Sequence, residues 1–183
     1  MKLSMNKIAV LLILFSVGSF AQVKKIESVK SESSITYKLT HPLHEIEAVS
    51  REAYCAVDAD VALKTIKHTY VKVPVMSFNS GNSSRDSHAM EVIDAISYPD
   101  AKFVSTSITQ NGDTLLVTGK MTFHGVTNML SFNALCKWSD DKLVVSGVFA
   151  LSLTAYKVER PSLLMVPVKD DLWFTLVETF KLK

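Results

Sequence analysis

Apolar residues recur at every second position through most of the chain after Ser34, and this period constrains the fold more than any other feature. Leu115, Val117, Gly119, Met121 and Phe123 alternate with Leu116, Thr118, Lys120 and Thr122. Leu130, Phe132, Ala134, Cys136 and Trp138 form a second series, and Leu143, Val145, Gly147, Phe149, Leu151 and Leu153 a third. Leu172, Phe174 and Leu176 form a fourth. Shorter series run through Ile35, Tyr37 and Leu39, through Ala53, Cys55 and Val57, and through Val71, Val73 and Val75. Successive side chains of a strand point to opposite faces, so these runs mean strands with one buried face.

The links between runs set the pairing. Asn111-Gly112-Asp113, His124-Gly125-Val126-Thr127 and Ser139-Asp140-Asp141 each join two runs through a few residues. A parallel crossover needs far more chain, so neighbours are antiparallel. The period breaks once. Ala89, Met90, Val92, Ile93 and Ile96 fit an amphipathic helix between Ser84 and Ile96. Ser83 or Ser84 is its expected cap, Asp86 suits its first turn, and Tyr98-Pro99 is its expected stop. The count is about seven or eight strands and one short helix. Such a sheet tends to close, because closure removes unpaired edges. A closed barrel of about eight strands can just hold one small ligand.

The first residues bear on compartment and charge. Lys2 and Lys7, the apolar run Ile8–Phe15 and the small-residue end Ser19-Phe20-Ala21 make a secretory signal peptide pattern. The run is far short of the roughly 20 apolar residues of a membrane span. Cleavage after Ala21 is expected, leaving one domain over residues 22–183 in the periplasm or outside the cell. The whole chain has 20 Lys+Arg and 18 Asp+Glu; losing Lys2 and Lys7 leaves 18 of each. A neutral surface gives no long-range pull on nucleic acid or an anionic membrane. Cys55 and Cys136 invite a disulfide in such a compartment. Strands on opposite walls would not bring their Cα atoms within about 7 Å, so buried free thiols are expected.

Few residues suggest catalysis. The segment Ser77–His88 holds Ser, Asp and His, but crowded into one loop and helix start, with no Gly-x-Ser-x-Gly elbow. It reads as a turn, a helix cap and an Arg85-Asp86 pair. His41, His44, His68, His88 and His124 show no His-Glu-x-x-His spacing, and no metal or catalytic residue is assigned. Lys and Arg are scattered, without the basic patch and stacking aromatics of nucleic-acid binders. Asn82-Ser83-Ser84 matches a glycosylation sequon. What remains is the apolar inventory, which serves equally as packed core or ligand pocket.

Three segments taken together carry a resemblance. They are Ser80-Gly81-Asn82-Ser83-Ser84-Arg85-Asp86-Ser87-His88, Tyr98-Pro99-Asp100-Ala101-Lys102-Phe103, and Val117-Thr118-Gly119-Lys120-Met121-Thr122-Phe123-His124-Gly125-Val126-Thr127. In this order and spacing the chain resembles the YceI-like family of exported lipid-binding (polyisoprenoid-binding) proteins. The resemblance implies an all-β, lipocalin-like antiparallel barrel with an apolar lumen for an isoprenoid chain such as a polyprenyl or quinone tail. It implies a lumen lined by Met90, Ile93, Phe103, Val117, Met121, Phe123, Phe132, Phe149, Leu151 and Phe174, and no cofactor beyond such a lipid. Arg85, Asp86, His88, His124 and Gly125 then belong to structural motifs. The C-terminal segment departs from the family's usual Arg followed by an acidic, aromatic and glycine stretch. Here it reads Tyr156-Lys157-Val158-Glu159-Arg160-Pro161-Ser162-Leu163-Leu164, a subgroup variant. A lipid ligand is the expected partner, and a homodimer stays open. The rival readings are a packed barrel serving as an interaction or stress-response module and a hydrolase or metal enzyme built on His88 or His41.

Overall fold

The structure is a computed structural model that describes residues 22–163 and 165–183, so the expected signal segment lies outside the described residues. In chain order the strands are β1 (Val23–Glu27), β2 (Ser34–His41), β3 (His44–Ser50), β4 (Tyr54–Asp60), β5 (Thr65–Pro74) and β6 (Asp100–Asn111). They continue as β7 (Thr114–Phe123), β8 (Val126–Trp138), β9 (Lys142–Ser152), β10 (Ser162–Leu163), β11 (Val166–Pro167) and β12 (Asp171–Lys181). One α-helix, α1 (Ser83–Val92), lies between β5 and β6.

Ten strands form one antiparallel sheet in the order β1-β4-β5-β6-β7-β8-β9-β12-β2-β3, and β10 pairs with β11 as a small hairpin. The sheet curls, so that Ile35 of β2, Val57 of β4 and Phe149 of β9 face one interior. The β1 end returns to β12, two strands in from the β3 end, where Ser28, just past β1, makes a single antiparallel bridge to Phe180. Beside it Val29 donates its N–H to the Thr179 carbonyl at 2.8 Å.

Ten strands exceed the seven or eight expected from the sequence, because β1, β3 and β6 hide their period. β1 is exposed apart from half-buried Ile26, and β3 alternates the small Ala48 and Ser50 with surface residues. In β6 the register slips between Ser105 and Ser107. This bulge moves the inward set from Ala101, Phe103 and Ser105 to Ile108, and one extra residue in a strand reverses every later side chain.

The three expected hairpins form, at β6–β7, β7–β8 and β8–β9. The β7–β8 turn has only His124 and Gly125 between the paired Phe123 and Val126, with φ of 47° and 72°. Two positive φ values suit the twist of a two-residue hairpin. Gly125 is also fixed by packing, since a Cβ there would sit 2.5 Å from the Tyr98 ring. His124 Nδ1 lies 3.0 Å from the Tyr156 carbonyl, tying this turn to the segment after β9.

The helix differs from its expected limits. Asn82, not Ser83 or Ser84, is the cap, its side-chain oxygen accepting the Arg85 N–H at 3.0 Å. α1 stops at Val92, well before Tyr98-Pro99. Asp94 takes a left-handed φ of 44°, its N–H meets the Glu91 carbonyl, and the Ala95 N–H meets the Met90 carbonyl. That pair of bonds closes a helix without needing proline. Ile96 lies past the stop and is 93 % exposed, so it does not belong to the apolar face. No helix among the described residues is long and apolar enough to cross a membrane. Cys55 and Cys136 are both free and buried.

Candidate functional site

Inside the curled sheet lies a cavity of about 200 Å³. Its wall is almost wholly apolar and is drawn from β2 to β9, β12 and α1. Met90 and Ile93 reach it from the helix, Phe103 from β6, and Val117, Met121 and Phe123 from β7. Phe132, Phe149 and Phe174 complete the set expected from the sequence, with one exception. Leu151 shares their inward parity but is packed into the core at 2 % exposure and does not reach the wall.

Four phenylalanines form a continuous row. The centroids of Phe103 and Phe132 are 5.8 Å apart, those of Phe132 and Phe149 5.0 Å, and those of Phe149 and Phe174 5.3 Å. Glycines let these rings lie against the sheet. A Cβ on Gly119 would meet the Phe103 ring at 2.5 Å, and one on Gly147 the Phe132 ring at 3.2 Å. The rings therefore spread along the wall, and the space in front of them stays open.

Sequence reasoning missed other parts of the wall. Tyr37, Cys55 and Val71 sat in alternating runs but were not assigned to the lumen. Val158 and Pro161 come from the unusual C-terminal segment, which turns at Thr154–Tyr156 and Lys157 (φ 58°) before β10. That segment thus covers part of the cavity. Glu178 continues the inward series Leu172, Phe174 and Leu176, a parity legible in the sequence.

The polar motif at the start of α1 is a brace. Arg85 donates from Nε to the Ser80 hydroxyl at 2.9 Å and from its terminal nitrogen to the Ser80 carbonyl at 2.8 Å. Asp86 accepts the Ser80 hydroxyl and, at 3.2 Å, the Ser80 N–H. His88 points elsewhere, with Nδ1 3.8 Å from Glu91. Ser80, His88 and Asp86 therefore do not line up as a nucleophile, base and orienting acid. The motif still borders the cavity, since Arg85 and His88, with the following Ala89, line it.

The remaining histidines are dispersed. His41 is buried, its Nδ1 accepts the Leu43 N–H at 3.2 Å, and its Nε2 donates to the Val166 carbonyl at 3.0 Å. His44 pairs across the β2–β3 turn with rings 5.1 Å apart, and His68 is exposed. Among the described residues no group of three or more His, Cys, Asp or Glu is placed to hold a metal ion.

Burial governs the titratable groups on the wall. It pushes the Cys55 thiol and the Tyr37 hydroxyl up, the latter with help from Asp86. It pushes the Glu178 carboxyl up to about 7, although the nearby Ser28 and Ser33 hydroxyls pull the other way. Cys55 and Tyr37 therefore stay protonated and weakly reactive at neutral pH, whereas Glu178 exchanges its proton close to it.

Comparisons with known proteins match this geometry. The YceI-like domain matches residues 25–178. A UPF0312 protein of Pseudomonas putida is 28 % identical over 159 residues, covering 81 % of this chain and 83 % of the relative. One from Pseudomonas fluorescens is 30 % identical over 147 residues, covering 75 % and 77 %. Among solved structures, BcnA of Burkholderia cenocepacia superposes with a TM-score of 0.75 at 20 % identity, over 83 % of this chain and 98 % of that one. A domain from Saccharophagus degradans, described as polyisoprenoid binding and implicated in plant cell wall breakdown, gives 0.68 at 10 % identity, over 87 % and 99 %.

Proposed function

The chain belongs to the YceI-like family, and from that premise we propose that it is an exported, non-enzymatic binding protein for a long apolar ligand. A polyisoprenoid or the tail of a quinone suits the interior. The single observation that carries this is the apolar cavity of about 200 Å³ with its row of four phenylalanines. An apolar cavity of about 150 Å³ already stays dry and binds benzene. Each ligand methylene buried here contributes about 0.8 kcal/mol, so affinity needs no ionic group. The polyisoprenoid-binding description of the Saccharophagus degradans domain supports the same ligand class. In this reading the Ser28–Phe180 bridge and the Val29–Thr179 bond are the seam that closes the sheet into a barrel. Export rests on the signal pattern of residues 1–21.

A packed barrel acting through its outer surface is the rival. The exposed apolar residues Val104, Leu116, Met129 and Val148 do not favour it. Their cross-strand neighbours include Lys120, Thr109, Asn133 and Thr175, so polar groups separate them rather than leaving one patch. The test is a titration with the apolar fluorophore N-phenylnaphthylamine. The wild type should bind one equivalent. Ala134→Trp, which fills the lumen at a wall position, should fold by circular dichroism and lose that binding. Equal binding by the filled variant would overturn the reading.

A further inference from the structure

Glu178 differs from every other group on the cavity wall. It is 2 % exposed, it faces the cavity, and neither of its carboxyl oxygens has a hydrogen-bond partner among the described residues. Its next inward neighbour on β12 is Phe180, fully buried, and it pairs on β9 with Val145, which pairs in turn with Cys136 at 0 % exposure. The carboxyl therefore stands at the edge of the sealed part of the interior. Beside it lies Ser28, whose hydroxyl is also buried and unpartnered. The Ser33 hydroxyl, also close to Glu178, accepts the Thr179 N–H at 3.0 Å and keeps its own O–H. The titratable group facing it is Cys55 from β4, neutral through burial. No cation pairs with it, the ion pairs of the described residues all lying elsewhere.

A buried carboxyl without a partner costs free energy that a suitable ligand atom recovers. An alkane end would leave it unpartnered. A phosphate or carboxylate end would meet an acid with no cation to offset it. An uncharged carbonyl accepts its O–H directly. Building on the cavity as a site for an apolar chain, we propose that Glu178, with Ser28 beside it, binds an uncharged carbonyl oxygen at the end of that chain. The ligand then lies oxygen-first against the sealed end, with its hydrocarbon along the phenylalanine row.

Three branched probes with one type of chain and different ends separate this from the parent reading. They are the hydrocarbon phytane, the ketone phytone and the anion of phytanic acid, each measured by displacement of N-phenylnaphthylamine from the mature chain. The wild type should prefer phytone to phytane by about tenfold, the worth of one buried hydrogen bond, and bind the anion most weakly. The preference for phytone should fall as pH rises through about 7, where the carboxyl loses the proton it donates. Glu178→Leu should keep phytane and lose the preference. Glu178→Gln, nearly isosteric, should keep part of the preference without its pH dependence. Equal affinity for phytone and phytane in the wild type, or a preference surviving in Glu178→Leu, would overturn this inference and leave the apolar site standing. Displacement by none of the three would overturn both.

Discussion

Leu115, Cys136, Leu143 and Phe180 are exposed by 1 % or less, whereas Phe132 and Phe149, on the same strands as Cys136 and Leu143, stay half-buried around open space. Both regions follow one inward alternation and are equally apolar. They differ in what stands opposite. At the sealed end Leu115 and Phe180 also border the cavity but are wholly shielded from solvent. Along the aromatic row, Gly119 and Gly147 let the rings spread over the backbone, so they do not reach across. Periodicity decides which way a residue faces; volume across the interior decides whether a pocket remains.

Truncating the two regions should therefore cost different amounts. Phe180→Ala removes a ring wholly shielded from solvent and should lower stability by about 3–5 kcal/mol in urea unfolding. Phe149→Ala enlarges a space already open and should cost less than half as much. Equal losses would erase the distinction.

Glu178 sits at the border between the regions, and its effect has a sign. Burial raises its carboxyl from the ordinary 4.5 to about 7, so between those values the folded chain holds a proton that the unfolded chain has lost. Stability contributed by the neutral acid is complete below the unfolded value, falls as pH rises through this window, and is flat above it. Glu178→Gln should remove that fall and stabilise the protein above neutral pH by up to about 3 kcal/mol, read from unfolding curves across pH. A fall of the same size in the variant would assign the pH dependence to other groups.

Gly119→Ala probes the wall itself. The new methyl would press on the Val104 carbonyl and the Phe103 ring, and should cost about 1–3 kcal/mol while shifting probe affinity. The smallest effect belongs to the brace outside both regions. Asn82→Ala removes the helix cap and should cost about 1 kcal/mol in thermal unfolding, with little change in binding.

Much of this was legible in the residues. The series from Leu115 to Phe123 and from Leu143 to Leu153 announced strands and their inward faces, and short polar links announced antiparallel hairpins. The bulge at Ser105–Ser107 was not legible, because one extra residue erases the period it interrupts. β1 escaped for want of apolar contrast. Leu151 and Phe149 look alike in the sequence, yet only Phe149 borders the cavity, since the gap depends on partners distant in the chain. Glu178 was readable as an inward position, but its isolation needed the surrounding strands.

The most direct test is organic-solvent extraction of the protein, expressed with its own N-terminal segment, followed by mass spectrometry. The account predicts an apolar lipid with an isoprenoid-type chain, near one equivalent, and its loss from Ala134→Trp. An extract without lipid, from a protein whose lumen proves filled by its own side chains, would contradict it.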